Sequence, residues 1–174
     1  KGYFENLKSD ESETKFGLVR AAEWADVDND NRKELIVVGD WMAPTIISLK
    51  GRKIQKITSG LESFPGFYGD VKVADFNGDG KTDLVLGNMS ENSFFKGYPL
   101  KLWVGDFDKN KINDKVITRN VDGKDKPVFL KRELMEQFPF LKAQNLKHSE
   151  FAKRSIQDIF DEKKVLSGIQ QTEA

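Results

Sequence analysis

Three copies of one oxygen-rich pattern constrain the fold of this chain more than any other feature of its sequence. The clearest copy is Ala-Asp-Phe-Asn-Gly-Asp-Gly-Lys-Thr-Asp, residues 74–83, and related copies begin at Asp26 and Asp106. Each copy carries carboxylate or carboxamide side chains at loop positions 1, 3 and 5 and a carboxylate at position 9. In a tight loop, oxygens at this spacing turn inward, and a hard cation such as Ca²⁺ takes about six to eight of them. The pattern therefore predicts three cation-binding loops.

The predicted ligands are the side-chain oxygens at positions 1, 3, 5 and 9 and the backbone carbonyl at position 7. They come from Asp26, Asp28, Asp30, Arg32 and Glu34 in the first loop, from Asp75, Asn77, Asp79, Lys81 and Asp83 in the middle loop, and from Asp106, Asp108, Asn110, Ile112 and Asp114 in the third loop. At position 7 only the backbone carbonyl would bind the ion, whatever the side chain is. The expected cofactor is Ca²⁺ in each loop.

An EF-hand is the main alternative for such loops. It requires a glutamate at loop position 12 and a helix on each side of the loop. Position 12 is occupied here by Val37, Leu86 and Ile117, which are all apolar. Each loop is followed by an apolar or alternating run that is typical of a strand. The three loops are therefore predicted to join strands.

The middle loop with its flanking strands resembles the FG-GAP (VCBS-type) repeat of β-propellers. Two further segments, Val38-Gly-Asp-Trp-Met-Ala-Pro-Thr-Ile and Leu102-Trp-Val-Gly-Asp-Phe-Asp, are similar to bacterial relatives of the ASPIC/UnbV and cartilage acidic protein group. The resemblance covers roughly residues 16–160. It implies a mainly β fold, a partial β-propeller of antiparallel strands, and the number of predicted strands is enough for about two blades. The change from a period of two to a period of 3.6 after the strands predicts a C-terminal helical segment.

The three loops differ at position 6, where the chain must turn sharply. This position is Gly80 in the middle loop, Asn31 in the first and Lys111 in the third. Glycine adopts a left-handed conformation without steric cost and asparagine tolerates it, whereas lysine is strained there. We therefore expect Ca²⁺ to bind most strongly to the middle loop, less strongly to the first loop and most weakly to the third loop. The alternative for each loop is a polar turn held by side-chain hydrogen bonds without metal.

Composition excludes several classes of function. The chain has 28 basic and 28 acidic residues, so no global field attracts it to nucleic acid or to an anionic membrane. Cysteine is absent, which excludes disulfides and thiolate metal sites. The single histidine is His148, and neither a Gly-x-Ser-x-Gly elbow nor a phosphate-binding glycine loop is present. We therefore expect no catalytic activity from the sequence given.

Calcium affinity bears on where such a protein works. Weak loops of this kind fill at the millimolar Ca²⁺ found outside cells, so an extracellular, periplasmic or outer-membrane-surface location is expected. The sequence contains no run of about 18 apolar residues and begins at Lys1 without an apolar signal segment. Any targeting or anchoring segment is therefore expected outside the sequence given, and no direct membrane insertion is expected.

The loops and the change in apolar periodicity after them suggest three regions. Residues 1–125 are expected to form the blades with the three loops, 126–166 a helical segment that packs on the blades, and 167–174 a frayed tail. The loops begin 49 and then 31 residues apart, so Ser90–Tyr98 is expected to replace part of a blade. Ser149 is the predicted cap of the second helix.

Two classes of function fit these features. The favoured one is a calcium-stabilised propeller module that serves as an extracellular recognition or adhesion scaffold for a protein or glycan. The alternative is a fragment of a propeller-based carbohydrate-active enzyme, such as a polysaccharide lyase, in which Ca²⁺ or basic residues neutralise a uronate. An incomplete propeller also leaves sheet edges unpaired, so self-association through those edges is expected.

Overall fold

The computed structural model describes residues 15–50, 53–89, 99–144, 147–160 and 170–173. The expected loop at Ser90–Tyr98 lies outside these residues, as do most of the N-terminal stretch and residues 161–169. The chain divides into two compact units, residues 1–93 and residues 94–174.

The first unit is an antiparallel sheet in which the first two Asp-rich loops each join neighbouring strands. Its strands are β1 (Leu18–Ala25), β2 (Glu34–Met42), β3 (Thr45–Lys50), β4 (Lys53–Ile57), β5 (Gly66–Ala74) and β6 (Asp83–Asn88). Strands β1 to β4 form a four-stranded meander. The end of β2 also pairs with β5, which pairs with β6. One four-stranded blade and the first hairpin of a second account for this arrangement.

Strand β2 is the most buried strand of the first unit because neighbouring strands hold both of its edges. Its side chains alternate between two apolar clusters, as the period of a strand requires. Ile36 and Val38 belong to one cluster with Tyr68, whereas Val37 belongs to the other with Ile47. The first loop ends at the start of this strand, so its last carboxylate is fixed to a buried element.

The second unit contains a four-stranded antiparallel sheet with the order β10-β7-β8-β9. Its strands are β7 (Leu100–Gly105), β8 (Asp114–Val121), β9 (Lys124–Pro127) and β10 (Gln170–Glu173). The third Asp-rich loop joins β7 to β8. Residues 170–173, which belong to the C-terminal tail, pair with an edge of β7 and satisfy its backbone groups. Residues 167–169 and 174 lie outside the described part of the chain.

Short helices follow the sheet of the second unit. They are α1 (Lys131–Gln137), α2 (His148–Phe151) and α3 (Ile156–Ile159), with a 3₁₀ segment at Pro139–Gln144. The predicted cap at Ser149 is wrong, because that residue lies inside α2. Ser155 is a cap instead: its hydroxyl accepts the Asp158 N–H at 3.2 Å, and the Asp158 carboxylate accepts the Ser155 N–H at 2.9 Å. This reciprocal pair satisfies two backbone donors of the first turn.

The helices pack on the sheet of the second unit through one aromatic core. Its most buried members are Trp103, Phe107, Val116, Leu134, Phe138, Leu141, Ile156, Ile159 and Phe160. The ring centroid of Phe107, which belongs to the third loop, lies 4.7 Å from that of Phe160 and 5.6 Å from that of Phe138. The third loop and the helical segment therefore share a core, and both belong to the second unit.

The predicted fold class is confirmed. The chain is mainly β with antiparallel sheets, consistent with a partial propeller-like fold that carries a small helical C-terminal part. Strands flank all three loops on both sides, as the apolar residues at position 12 predict. Within the residues described, no helix is long and apolar enough to cross a membrane.

Candidate metal centre

The same hydrogen-bond framework closes all three Asp-rich loops. The position-1 carboxylate accepts the N–H groups of positions 5 and 6, and the position-3 side chain also accepts the position-5 N–H. The position-5 side chain accepts the position-7 N–H, and the position-9 carboxylate accepts the position-2 N–H. Because side chains at alternate positions bind the same short stretch of backbone, all of them are drawn toward the interior of the loop.

Two positions in each loop are left-handed. They are Asn29 and Asn31 in the first loop, with φ of 61° and 65°, Gly78 and Gly80 in the middle loop, with 77° and 81°, and Lys109 and Lys111 in the third, with 64° and 69°. The sequence predicts the left-handed residue at position 6 but not the one at position 4. The glycine and the asparagine at position 4 of the middle and first loops are the signal that could have revealed it.

In the first and third loops, the carboxylates at positions 1, 3 and 9 converge. Oxygens of Asp26, Asp28 and Glu34 all lie within 4.8 Å of one another, and so do oxygens of Asp106, Asp108 and Asp114. An ion with ligands at about 2.3–2.6 Å joins oxygens up to about 5 Å apart, so both groups could hold a metal ion. The middle loop has an amide, Asn77, at position 3, and therefore only two carboxylates at the equivalent positions.

Position 5 contributes to the framework rather than to these converging groups. Asp30 accepts the Arg32 N–H at 2.8 Å, and Asn110 accepts the Ile112 N–H at 2.7 Å. The replacement of a carboxylate by Asn110 therefore leaves the three converging carboxylates of the third loop intact. The ligand roles of the position-5 side chains and of the carbonyls of Arg32, Lys81 and Ile112 stay predictions.

The electrostatic environments of the middle and third loops differ. In the middle loop, the Gly80 N–H is the main cause that lowers the pKa of Asp75, and the N–H groups of Gly78 and Asp79 also contribute. In the third loop, burial raises the pKa of Asp114, and the negative charges of Asp108 and Asp106 raise it further. A cation would offset the unfavourable environment of Asp114 at position 9. At position 1, backbone N–H groups stabilise the charge of Asp75 in the middle loop, and the equivalent N–H groups bond to Asp106 in the third.

Comparison with known proteins agrees with part of the resemblance. Residues 26–86 match the family described as FG-GAP-like repeat. The match begins at the first residue of the first loop and ends within β6, so it includes the first and middle loops. No curated protein and no solved structure gives a significant match to the chain. The fold and this match together indicate a propeller-type module with an FG-GAP-like repeat, in which groups of acidic residues could hold a metal ion.

The left-handed lysine of the third loop leads to a stability prediction. We expect Lys111→Gly to be about 1 kcal/mol more stable than Lys111→Ala, because only glycine removes the backbone strain at φ 69°. Both variants lose the same positive charge beside the acidic group, so the difference between them isolates the backbone term. Urea denaturation of the two variants measures it. Equal midpoints would show that the lysine is not strained.

Proposed function

We propose that this chain is a calcium-binding propeller-type module and that Ca²⁺ stabilises its three loops. The observation that carries the proposal is the convergence of three carboxylates within 4.8 Å in two separate loops that share one framework. Such a group of protein oxygens suits Ca²⁺, which accepts varied coordination geometries, better than Mg²⁺, which requires near-ideal octahedral geometry and retains several waters.

Metal binding would act on stability in two ways. The ion would coordinate the carboxylates, and it would cancel their mutual repulsion. If a loop binds Ca²⁺ with a dissociation constant of about 0.1 mM, free Ca²⁺ at about 2 mM stabilises the fold by roughly 1.8 kcal/mol through mass action. In a unit of about 60–100 residues, each kcal/mol raises the melting temperature by about 4–8 °C.

The converging carboxylates also suggest how the Ca²⁺ affinities of the three loops rank. Affinity for Ca²⁺ rises with the number of charged ligands, and the first and third loops each bring three carboxylates to positions 1, 3 and 9. We propose that these two loops bind more strongly than the middle loop, where Asn77 holds position 3. Backbone strain at position 6 predicts instead that the middle loop has the highest Ca²⁺ affinity. Ligand charge and backbone strain therefore rank the middle loop differently, and an experiment can decide between them.

The wider role that we propose is recognition or adhesion outside the cell or at its surface. The FG-GAP-like repeat and the antiparallel blades support a scaffold, and weak calcium loops would be filled at extracellular Ca²⁺ concentrations. A relationship to the ASPIC/UnbV and cartilage acidic protein group, a protein or glycan ligand and a non-catalytic role are parts of the same proposal. Binding of a ligand only when Ca²⁺ is present would support this role, whereas turnover of a polyuronate would favour the lyase alternative.

Thermal melts of single-loop variants test the calcium proposal. The melting temperature should rise by several degrees when Ca²⁺ replaces EDTA, and Asp28→Asn and Asp108→Asn should each reduce this rise. These changes neutralise a position-3 carboxylate with little change in shape, and Asn77→Asp supplies the missing carboxylate to the middle loop and should increase the rise. If Asp79→Ala abolishes the rise while Asp28→Asn and Asp108→Asn leave it intact, the middle loop dominates and the proposed order is wrong.

A further inference from the structure

The helical segment of the second unit forms a cavity that none of the three loops lines. Its volume is about 310 Å³, which lies at the small end of the range for small-molecule sites. Among the residues that the structure describes, its lining is formed by Lys131, Arg132, Met135, Glu136, Lys142 and His148. These residues come from α1, from the 3₁₀ segment and from α2, so the cavity is a product of how the three elements pack.

The three elements that line the cavity are anchored in the aromatic core. Each of the three elements places one side chain in the aromatic core of the second unit: Leu134 from α1, Leu141 from the 3₁₀ segment and Phe151 from α2. Their exposed fractions are 0%, 2% and 9%. Because the core holds all three elements, the side chains on their outer faces are kept near one another rather than scattered along a mobile segment.

Positive charge dominates the described part of the lining. Among these residues three are cations, Lys131, Arg132 and Lys142, and one is a carboxylate, Glu136. Arg132 lies 3.3 Å from Glu136, but both side chains are largely exposed, so this pair is well screened by solvent. A cleft lined mainly by one sign of charge concentrates the field and attracts ions of the opposite sign.

The other acidic residues of α1 and α2 cap the N-termini of these helices. Glu133 accepts the Leu130 N–H at 2.8 Å, and Glu150 accepts the Lys147 N–H at 3.1 Å. Their negative charges are therefore directed to the backbone at the start of α1 and α2 and not into the cavity. Among the described residues of the lining, Glu136 is therefore the one carboxylate beside three cations.

We propose that this cavity binds a small organic anion that carries two carboxylate, sulfate or phosphate groups. Its volume corresponds to roughly ten water molecules, which suits a compact ligand rather than a polymer. Met135 and the methylene stems of the lysines give the lining an apolar part, so an anion with a short hydrocarbon body fits it better than an inorganic ion. This inference does not depend on calcium binding, because no lining residue belongs to an Asp-rich loop.

Nuclear magnetic resonance titration of the full chain at constant ionic strength tests the proposal. The probes are succinate, a dicarboxylate, and succinamide, its uncharged counterpart of nearly the same shape, with sulfate and inorganic phosphate to identify the preferred anionic group. Succinate should shift the Met135 methyl and His148 ring signals in a saturable way, and succinamide should not. Arg132→Gln and Lys142→Gln should each weaken succinate binding about five-fold.

The control is Lys153→Gln, which removes an exposed lysine that does not line the cavity. It should leave succinate binding unchanged. If sulfate or phosphate binds more tightly than succinate with the same sensitivity to Arg132→Gln, the anion site is supported and its preferred group is assigned. Equal shifts with succinamide, or an equal loss in Lys153→Gln, would overturn the proposal because the lining charge would then not determine binding.

Discussion

Replacing Phe107 with alanine should destabilise the second unit by about 3–5 kcal/mol, which is the usual cost of removing a fully buried aromatic side chain. Phe107 is 1% exposed, although it occupies position 2 of a polar loop. Its ring packs against those of Phe138 and Phe160, so its removal separates the third loop from the helical segment. Calcium binding by the third loop should weaken together with the fold, because Asp106 and Asp108 flank the altered residue.

The matched control is Phe76→Ala, which makes the same change at position 2 of the middle loop. Phe76 is 57% exposed, so its loss should cost less than about 1 kcal/mol. Urea denaturation followed by the methyl signals of Val116 and Val38, which are buried in the second and first units, reports the two units separately. Similar losses in both variants would mean that Phe107 is not the residue that joins the third loop to the core.

Replacing Gly39 with alanine should destabilise the first unit by about 3 kcal/mol, because the added methyl group meets backbone rather than a movable side chain. A Cβ at Gly39 would lie 2.1 Å from the carbonyl oxygen of Leu18 and 2.8 Å from the Cα of Val19. Strands β1 and β2 would have to move apart along the pair that carries the first loop. The carboxylates of Asp26 and Glu34 should then lie farther apart, so the affinity of the first loop for Ca²⁺ should fall as well.

Gly87→Ala is the control for the Gly39 variant. Gly87 also lies in a strand, β6, but a Cβ there would have ordinary contacts, the nearest at 3.7 Å from the Asp70 backbone. Its substitution should be neutral or stabilising by about 0.4–1 kcal/mol, since alanine restricts the unfolded chain. Thermal melts of both variants give the comparison. A Gly39→Ala protein as stable as the Gly87→Ala protein would show that β1 and β2 are less closely paired than described.

The sequence predicts the strands and loops well, because both have local causes. Apolar alternation after position 9 predicts the strands that leave each loop, and the spacing of oxygens predicts the side chains that converge, such as Asp26 with Asp28 and Asp106 with Asp108. Neither prediction requires knowledge of distant contacts. The same local logic identifies the helical segment, because the period of the apolar residues changes after the strands.

What the sequence does not predict depends on tertiary contacts. The aromatic residue at position 2 is exposed as Phe76 and buried as Phe107, and rings of the helical segment cover Phe107. The pairing of residues 170–173 with β7 and the division of the chain at residue 93 likewise depend on distant partners. Local side-chain preference alone could not distinguish Ser149 from Ser155 as a cap.

The measurement that tests the central claim most directly is the stoichiometry of Ca²⁺ binding by isothermal titration calorimetry on protein first freed of metal. Three sites per chain are predicted, and Asp26→Asn, Asp75→Asn and Asp106→Asn should each remove one. Each substitution retains one acceptor oxygen and removes the second, so one of the backbone N–H groups of positions 5 and 6 loses its acceptor. Circular dichroism therefore verifies that each variant stays folded. A folded wild-type chain that shows no saturable Ca²⁺ binding would contradict the account and leave the three loops as turns held by hydrogen bonds alone.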